Sequence, residues 1–513
     1  MMNKKIVILA TAFAMTAGAF AQDIYQMASF SSEDLNGTSR YVGMGGAMSA
    51  LGADMSTMGT NPAAIGLFRK SDAALTVGML SLSEGQKFDG KGKTRMSFDN
   101  LGIVGVIKLD DSTCKFLNIG FNYHKQKNFK SLLNTEFSPA NEASQTWQMA
   151  DLADAWGEPA KATPLADMGY EAYLINPLDD GGYDAYGASY VGYNKSQLGG
   201  IHAFDFNIST NLAEQFYLGL TVGAYNVNYK SLSLYTEDMI NVEGVDAGYY
   251  DLSNDRELTG NGFNVKFGFI ARPVKTSPFR IGLAVSSPTY YNLKYRGSSD
   301  LVAYYNDGME PEHQYTDVDR FRYNIHTPWK FNLSLGHTIA NQLAIGAEYE
   351  YADYSTAKVT YDDSNDWDWD WSNETDDREL NRQADRYLRG VHTFKVGAEW
   401  MVDKSFAIRA GYNHVTSPFD SKAFLNQTIN SASLDYATST NYMNLSGINR
   451  WTVGIGYNTG NFYIDAACQY QNQHGNFYAF TTQNGNENAV NDCPRQRLDL
   501  SRTQLMLTLG FRF

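Results

Sequence analysis

The closing stretch of the chain, "TQLMLTLGFRF", limits the fold more than any other feature. Leu505, Leu507, Leu509, Phe511 and Phe513 fall on one face, with Gln504, Met506, Thr508, Gly510 and Arg512 on the other. This is the period of a strand whose two sides meet different surroundings. The same division separates Phe216, Leu218, Leu220 and Val222 from Tyr217, Gly219, Thr221 and Gly223. It also separates Trp451, Val453, Ile455 and Tyr457 from Thr452, Gly454, Gly456 and Asn458. Fourteen such segments follow one another, at about 73–82, 96–109, 115–128, 202–212, 216–236, 262–273, 280–295, 320–339, 342–361, 391–402, 406–416, 450–459, 462–480 and 500–513.

Their connections alternate in length. Asp110 to Thr113, Thr210 to Gln215, Ile339 to Asn341, Asp403 to Ser405 and Thr459 to Gly460 are short; 129–201, 237–261, 296–319, 363–389, 417–449 and 481–499 are long. An even strand number, tight turns at one end and long loops at the other is the pattern of bacterial outer-membrane barrels. Closing the sheet lets the chain cross hydrocarbon with its backbone groups paired. The expected fold is therefore all-β, a 14-stranded antiparallel transmembrane β-barrel with both termini at the periplasmic, short-turn end and its largest outer loop at 129–201. A soluble all-β protein is the alternative, and the export signal and loop asymmetry count against it.

The N-terminus carries that signal. Lys4 and Lys5 precede an apolar run from Ile6 to Gly18, and Ala19-Phe20-Ala21 forms a small-x-small site before Gln22, so residues 1–21 read as a secretory signal peptide. Beyond it no run of 18 apolar residues occurs, which speaks against a helical span. A net charge of −15 argues against nucleic-acid partners. Cys114, Cys468 and Cys493 are too few and too dispersed for a disulfide framework, although a Cys468 to Cys493 bridge stays open.

Residues 22–71 lack sustained alternation and are rich in Gly, Ala, Ser and Met. A barrel of this width has a lumen that its own side chains do not fill, so this segment is expected to plug it. Asn61-Pro62 is the turn that reverses the chain before the first strand. Gly43-Met44-Gly45-Gly46 lacks the third glycine and the preceding strand of a dinucleotide fingerprint, which leaves close packing as its role. The chain thus divides into a signal peptide (1–21), a plug (22–71) and a barrel (72–513).

Within the plug, "SRYVGMGGAMSALGADMSTMGTNPAAIGLF" resembles the N-terminal hatch of the FadL/TodX-type family of outer-membrane hydrophobic-compound transporters. Asn61, Pro62 and Ala63 match the family's Asn-Pro-Ala motif, and Gly43, Gly45, Gly46, Ala53, Asp54 and Ser56 match the pattern before it. The resemblance implies passive transport of hydrophobic small molecules such as long-chain fatty acids. Ligand would be captured at outer loops, gated by the hatch and released laterally at the third strand, where Gly120 is the candidate wall kink. The expected partners are a hydrophobic ligand or lipid, outer-membrane lipid, and the outer-membrane insertion machinery, with Phe513 as the assembly signal. Two rival functions stand beside transport: an accessory or structural barrel in a larger outer-membrane secretion or assembly complex, and a general porin.

Two further stretches carry candidate sites. In "PANEASQTWQMADLADAW", Trp147, Met149, Leu152 and Trp156 recur near helical spacing, either as an apolar ligand groove or as a packed loop helix shielding the rim. In "DDSNDWDWDWSNETDD", Asp366, Asp368 and Asp370 are the carboxylates able to hold Ca²⁺, but without EF-hand spacing, so a solvated hairpin tip is preferred and no metal is expected. Neither H-E-x-x-H nor G-x-S-x-G occurs. No cofactor and no enzymatic activity are expected.

Overall fold

The computed structural model describes residues 23–111, 113–179, 181–316, 319–362, 374–432, 437–483, 485–486 and 488–513. The signal-peptide segment 1–21 and the Asp366, Asp368 and Asp370 cluster lie outside the described residues.

Fourteen antiparallel strands form the wall. In chain order they are β1 (Asp72–Leu82), β2 (Thr94–Lys108), β3 (Cys114–Asn128), β4 (Gly187–Leu212), β5 (Phe216–Ile240), β6 (Asp246–Ala271) and β7 (Arg280–Ser286 continued by Tyr290–Tyr305). There follow β8 (Asp319–His326 continued by Lys330–Ile339), β9 (Leu343–Asp353 continued by Lys358–Asp362), β10 (Gly390–Met401), β11 (Phe406–Val415), β12 (Ile448–Asn458), β13 (Phe462–Asn472) and β14 (Arg502–Arg512). Each pairs with the next, and β14 closes onto β1 from Asp72↔Arg512 to Leu82↔Arg502. Pro288 and Pro328 account for the breaks in β7 and β8, since proline has no N–H to give the ladder. The two breaks lie side by side, and Thr289 donates its N–H to Thr327 Oγ1 at 2.8 Å.

The alternation sorts side chains as the sequence indicates. Leu505, Leu507, Leu509 and Phe511 are exposed on the outside, whereas Gln504, Met506 and Thr508 are buried on the inside. On β5 the outward face stays apolar from Phe216 to Ala224. At about 3.4 Å per residue and a tilt of about 40° that stretch covers roughly 21 Å, close to the apolar band of about 25 Å on membrane barrels. Among the described residues no helix is long and apolar enough to cross a membrane.

Several strands run further than the sequence reading, among them β7, which continues to Tyr305 into the stretch read as loop 296–319. The stretch 237–261 is not a loop: β5 and β6 run past the apolar band and close through a hairpin in which Asn241 N donates to Val245 O at 2.9 Å. Likewise β4 begins at Gly187, which shortens the largest loop to 129–186. These extensions present Tyr235, Met239, Tyr250 and Leu252 inward and polar residues outward, so their mean hydropathy does not mark them as strands. The inward set packs on a cap formed by two helices, α3 (Gln145–Trp156) and α4 (Pro164–Glu171), through Met149, Leu165 and Met168, and by the segment after β13, through Phe477 and Phe480. The cysteines are all free thiols. Cys468 sits in β13 and Cys493 is buried in the cap, so no bridge joins them.

Candidate functional site

The N-terminal segment fills the barrel. It contains helix α1 (Ile24–Ser31), helix α2 (Ser39–Gly43) and two 3₁₀ turns, Met55–Gly59 and Pro62–Leu67. Asn61 caps the second turn, its Oδ1 accepting from Ala63 N at 3.1 Å, and Pro62 stands at the first turn position, where a missing N–H costs nothing. Asp54 accepts from Ser56 N at 3.0 Å and Thr38 Oγ1 at 2.7 Å, and Ser56 Oγ accepts from Thr38 N at 2.8 Å, tying the first turn to the cap of α2. Gly45 and Gly46 have φ of +64° and +80°, a left-handed bend that favours glycine.

The wall is shaped to receive this backbone. A Cβ on Gly219 of β5 would overlap the Pro62 carbonyl, and one on Gly268 of β6 would overlap Asn61 Oδ1 and lie 2.7 Å from Ala63 N. Gly397 of β10 and Gly411 of β11 are filled in the same way by Met44 and Gly45, and Gly43 lies against Gly454 of β12. Charge fixes the register. Arg40 of α2 forms a fork on Glu399 at 2.9 and 2.8 Å, and Arg409 joins Glu399 at 2.6 Å to Asp465 at 2.5 Å. Thr508, fully buried, bonds to Thr76 at 2.7 Å and Ser39 at 2.9 Å. At this height the inward face meets packed protein.

The wall is split beside β3. Pairing of β2 with β3 stops at Asn100↔His124. Beyond that point β2 stays with β1, and Lys125 to Asn128 stay with β4. The plug closes the opened edge: Asp34 N donates to Gln126 O at 2.9 Å, Asn128 N to Asp34 Oδ2 at 2.8 Å, and Asn36 Nδ2 to Lys125 O at 3.0 Å and to Asp99 Oδ1 at 3.2 Å. Arg502 of β14 pairs with Asp34 at 2.5 Å. Gly120 is not the kink: the ladder runs unbroken through it from Val104 to Asn207, and Met58 occupies the space a side chain would need. The irregularities in β3 fall instead at its two ends, between Cys114 and Phe116 and between Lys125 and Lys127.

Next to the split, on the long-loop side of the plug, lies a cavity of about 370 Å³. Helix α1 lines it, held by Tyr25 against Phe419 and Tyr442 (ring centroids 4.9 and 5.6 Å) and by Phe30 against Phe129 and Tyr291. Leu132, Leu258, Tyr229 and Val391 contribute apolar wall; Lys127, Lys195, Arg256 and Arg502 bring positive charge to the same space, with Asp23 and Asp34. Burial, with Arg256 beside it, pulls the Lys195 ammonium down to about 8. A second cavity, about 400 Å³, lies at the short-turn end under the plug and is lined by Arg40, Arg69, Asp72 and Arg512.

The cap adjoins the chamber through Leu133 and Phe477, which pack in the cap's core and line the cavity. Met149 and Leu152 are buried within the cap and Trp147 packs against its core, so these residues build the cap's interior, while Trp156 is partly exposed at the end of α3. Phe513 is 60% exposed at the short-turn end, its N–H on Ser71 O at 3.0 Å. The N-terminus of α3 is docked on the extension of β5: Ser144 Oγ, Tyr235 OH and Gln145 N all donate to the buried Glu237 carboxyl, the last at 3.0 Å. Burial pushes this carboxyl up to about 7 against the pull of those donors. A folded-state value above the unfolded one means stability that is complete below about pH 4.5 and lost as pH rises through about 7. A shift of this size corresponds to about 3 kcal/mol. Hydrogen exchange of α3, corrected for intrinsic rate, should thus show better protection at pH 5 than at pH 8, and Glu237→Gln should flatten the difference. Equal protection of the parent at both values would refute it.

Among the described residues no group of three or more His, Cys, Asp or Glu side chains is placed to hold a metal. No protein-family description matches the sequence, and no curated protein does. Solved structures match in shape. A Pseudomonas aeruginosa FadL homologue superposes with a TM-score of 0.51 over 94% of this chain and 99% of its own, at 14% identity. The P. putida toluene transporter TodX matches at a TM-score of 0.49, 13% identity and coverage of 94% and 99%. The first of these likenesses establishes the fold.

Proposed function

We propose that the protein is a passive, non-enzymatic outer-membrane transporter for hydrophobic small molecules carrying an acidic head, with long-chain fatty acids as the substrate class. The observation that carries this reading is the chamber: an apolar space bounded by the plug, bordered by cations and adjoining the closed split. Each methylene moved from water into such a space contributes about 0.8 kcal/mol, and a carboxylate there finds charge-assisted donors in Lys195 and Arg256. Residues 22–71 act as the hatch, with Asn61-Pro62-Ala63 as its seat; the long loops face outward and both termini the periplasm. The signal peptide 1–21 directs export, and Phe513 serves as the assembly signal for the insertion machinery.

Native mass spectrometry of the gently extracted protein tests this. One acyl-chain ligand per barrel is expected, and palmitate affinity should fall about tenfold for each of Lys195→Gln and Arg256→Gln, with toluene binding unchanged. A barrel without ligand but with a stoichiometric partner chain would establish the accessory-barrel reading instead.

A further inference from the structure

The opened edge of β3 carries a lysine on each face of the wall. Its ladder with β4 runs Lys125↔His202 and then Lys127↔Ile201, with Gln126 as the extra residue. A bulge of this kind re-aims the side chains around it. Ile201 is buried in the interior, and Lys127 beside it lines the chamber, its ammonium on Ser32 Oγ. His202 instead shares the outward face with the exposed Phe206 and is hydrogen-bonded through Nδ1 to Tyr123 OH at 2.8 Å. Lys125, paired with His202, stands on that outer face.

Arg95 lies across the split. It pairs with Leu80 of β1, in the stretch of β2 that has parted from β3, and its charge acts on the ammonium groups of Lys125 and Lys130. Among the described residues neither Arg95 nor Lys125 has a carboxylate within ion-pair distance. Asp34 and Asp99, whose charges reach Lys125, are engaged elsewhere. Asp34 holds Arg502 and the Asn128 N–H, and Asp99 accepts from Asn36 and from Ser97 Oγ at 2.8 Å. Like charges gathered at one gap repel, and an anion passing between Arg95 and Lys125 relieves that repulsion.

The height of the pair suits a headgroup. His202 pairs with Asn226 of β5, the first outward polar position past the apolar stretch that ends at Ala224. Lys125 thus stands at the rim of the apolar band, where a basic head stays hydrated. Just below, Phe98 of β2 and Tyr123 of β3 lie ring to ring at 5.4 Å. An amphiphile leaving sideways here keeps its carboxylate at the rim while its chain slides over the rings. Taking that carboxylate away from Lys195 and Arg256 is costly unless other cations receive it.

We infer, on the transport reading proposed above, that Arg95 and Lys125 form a second carboxylate site at the outer rim of the split, separate from the Lys195 and Arg256 pair of the chamber. Lys127 lies between the two sites. The rim site receives the head of the departing acid, so it discriminates anionic from neutral amphiphiles at release and leaves capture unaffected.

Rapid filtration of tritiated palmitate and tritiated hexadecanol, released from the reconstituted protein into acceptor vesicles, tests this, with equilibrium affinity measured on the same samples. In Arg95→Gln with Lys125→Gln, palmitate release should slow about tenfold, at up to about fivefold per charge. Hexadecanol release and the affinity for both ligands should stay parental, and Arg95→Lys with Lys125→Arg should keep the parental palmitate rate. Parental palmitate release from the double-glutamine variant overturns the site. Equal slowing of both ligands also overturns it, assigning the two side chains to the build of the edge. Slowing that follows the anionic lipid content of the vesicles instead of the charge of the ligand assigns them to a lipid headgroup. A parent that retains no palmitate at equilibrium overturns the chamber reading and this site with it, whereas parental affinity with unchanged release overturns the site alone.

Discussion

Leucine in place of Gly219 or Gly268 is expected to unseat the N-terminal segment while leaving the wall closed. Both glycines face inward on long, fully paired strands, and a Cβ at either would overlap the Asn61-Pro62-Ala63 backbone. The obstructing atoms are main chain in a capped turn, so no side-chain rotation relieves the conflict. Overpacking ordinarily costs about 1–3 kcal/mol, and here the cheaper response is for the plug to leave. The variants should stay heat-modifiable, become sensitive to protease between residues 55 and 67, and conduct small ions where the parent is closed. Gly105 of β2 supplies the control, since a Cβ there meets only Ile119 O at 3.9 Å; Gly105→Ala should behave as the parent. A leucine variant that remains closed and protease-resistant would show that the plug does not depend on this cradle.

The inward glycines explain how much of the fold was legible. Gly219 and Gly223, or Gly454 and Gly456, are visible in the sequence as the small face of an alternating strand, and they identify the inner side correctly. What sequence order does not reveal is which plug atom lies over which glycine, because residues more than a hundred positions apart meet there. The same limit hid Asp34 and Asn36. They sit in an unremarkable polar stretch and acquire meaning only because β2 and β3 part at Asn100 and His124. Gly120 reads as a flexible point of β3 because glycine weakens strands; the protein uses it to admit Met58, and the irregularity nearest the split falls where Gln126 turns to Glu33, to which it donates at 2.9 Å. The strand extensions beyond the apolar band are hard to read for a different reason. With water on one face and a mixed cap on the other, β5 and β6 lose the apolar contrast by which membrane strands are recognised.

Removing the two side chains that close the split should have the second-largest effect, and it acts on release. In Asp34→Ala with Asn36→Ala, the Asn128 N–H and the Lys125 carbonyl lose their plug partners, Asp99 loses the Asn36 amide, and Arg502 loses its carboxylate. An unpaired buried donor or acceptor costs about 1–3 kcal/mol, so several at one edge favour parting of the plug from β3. The cavity reaches this edge through Asp34, Lys127 and Asn128, and parting there opens the chamber to the outer face of the wall. Single-turnover release of a bound fatty acid into vesicles should accelerate about tenfold or more, and amide exchange should rise at residues 126–128 while β10 to β12 stay protected. Asn61 and Pro62 are untouched, so the plug should remain seated and ion conductance low. Release at the parental rate, despite faster exchange at residues 126–128, would mean that the split opens without serving as the exit.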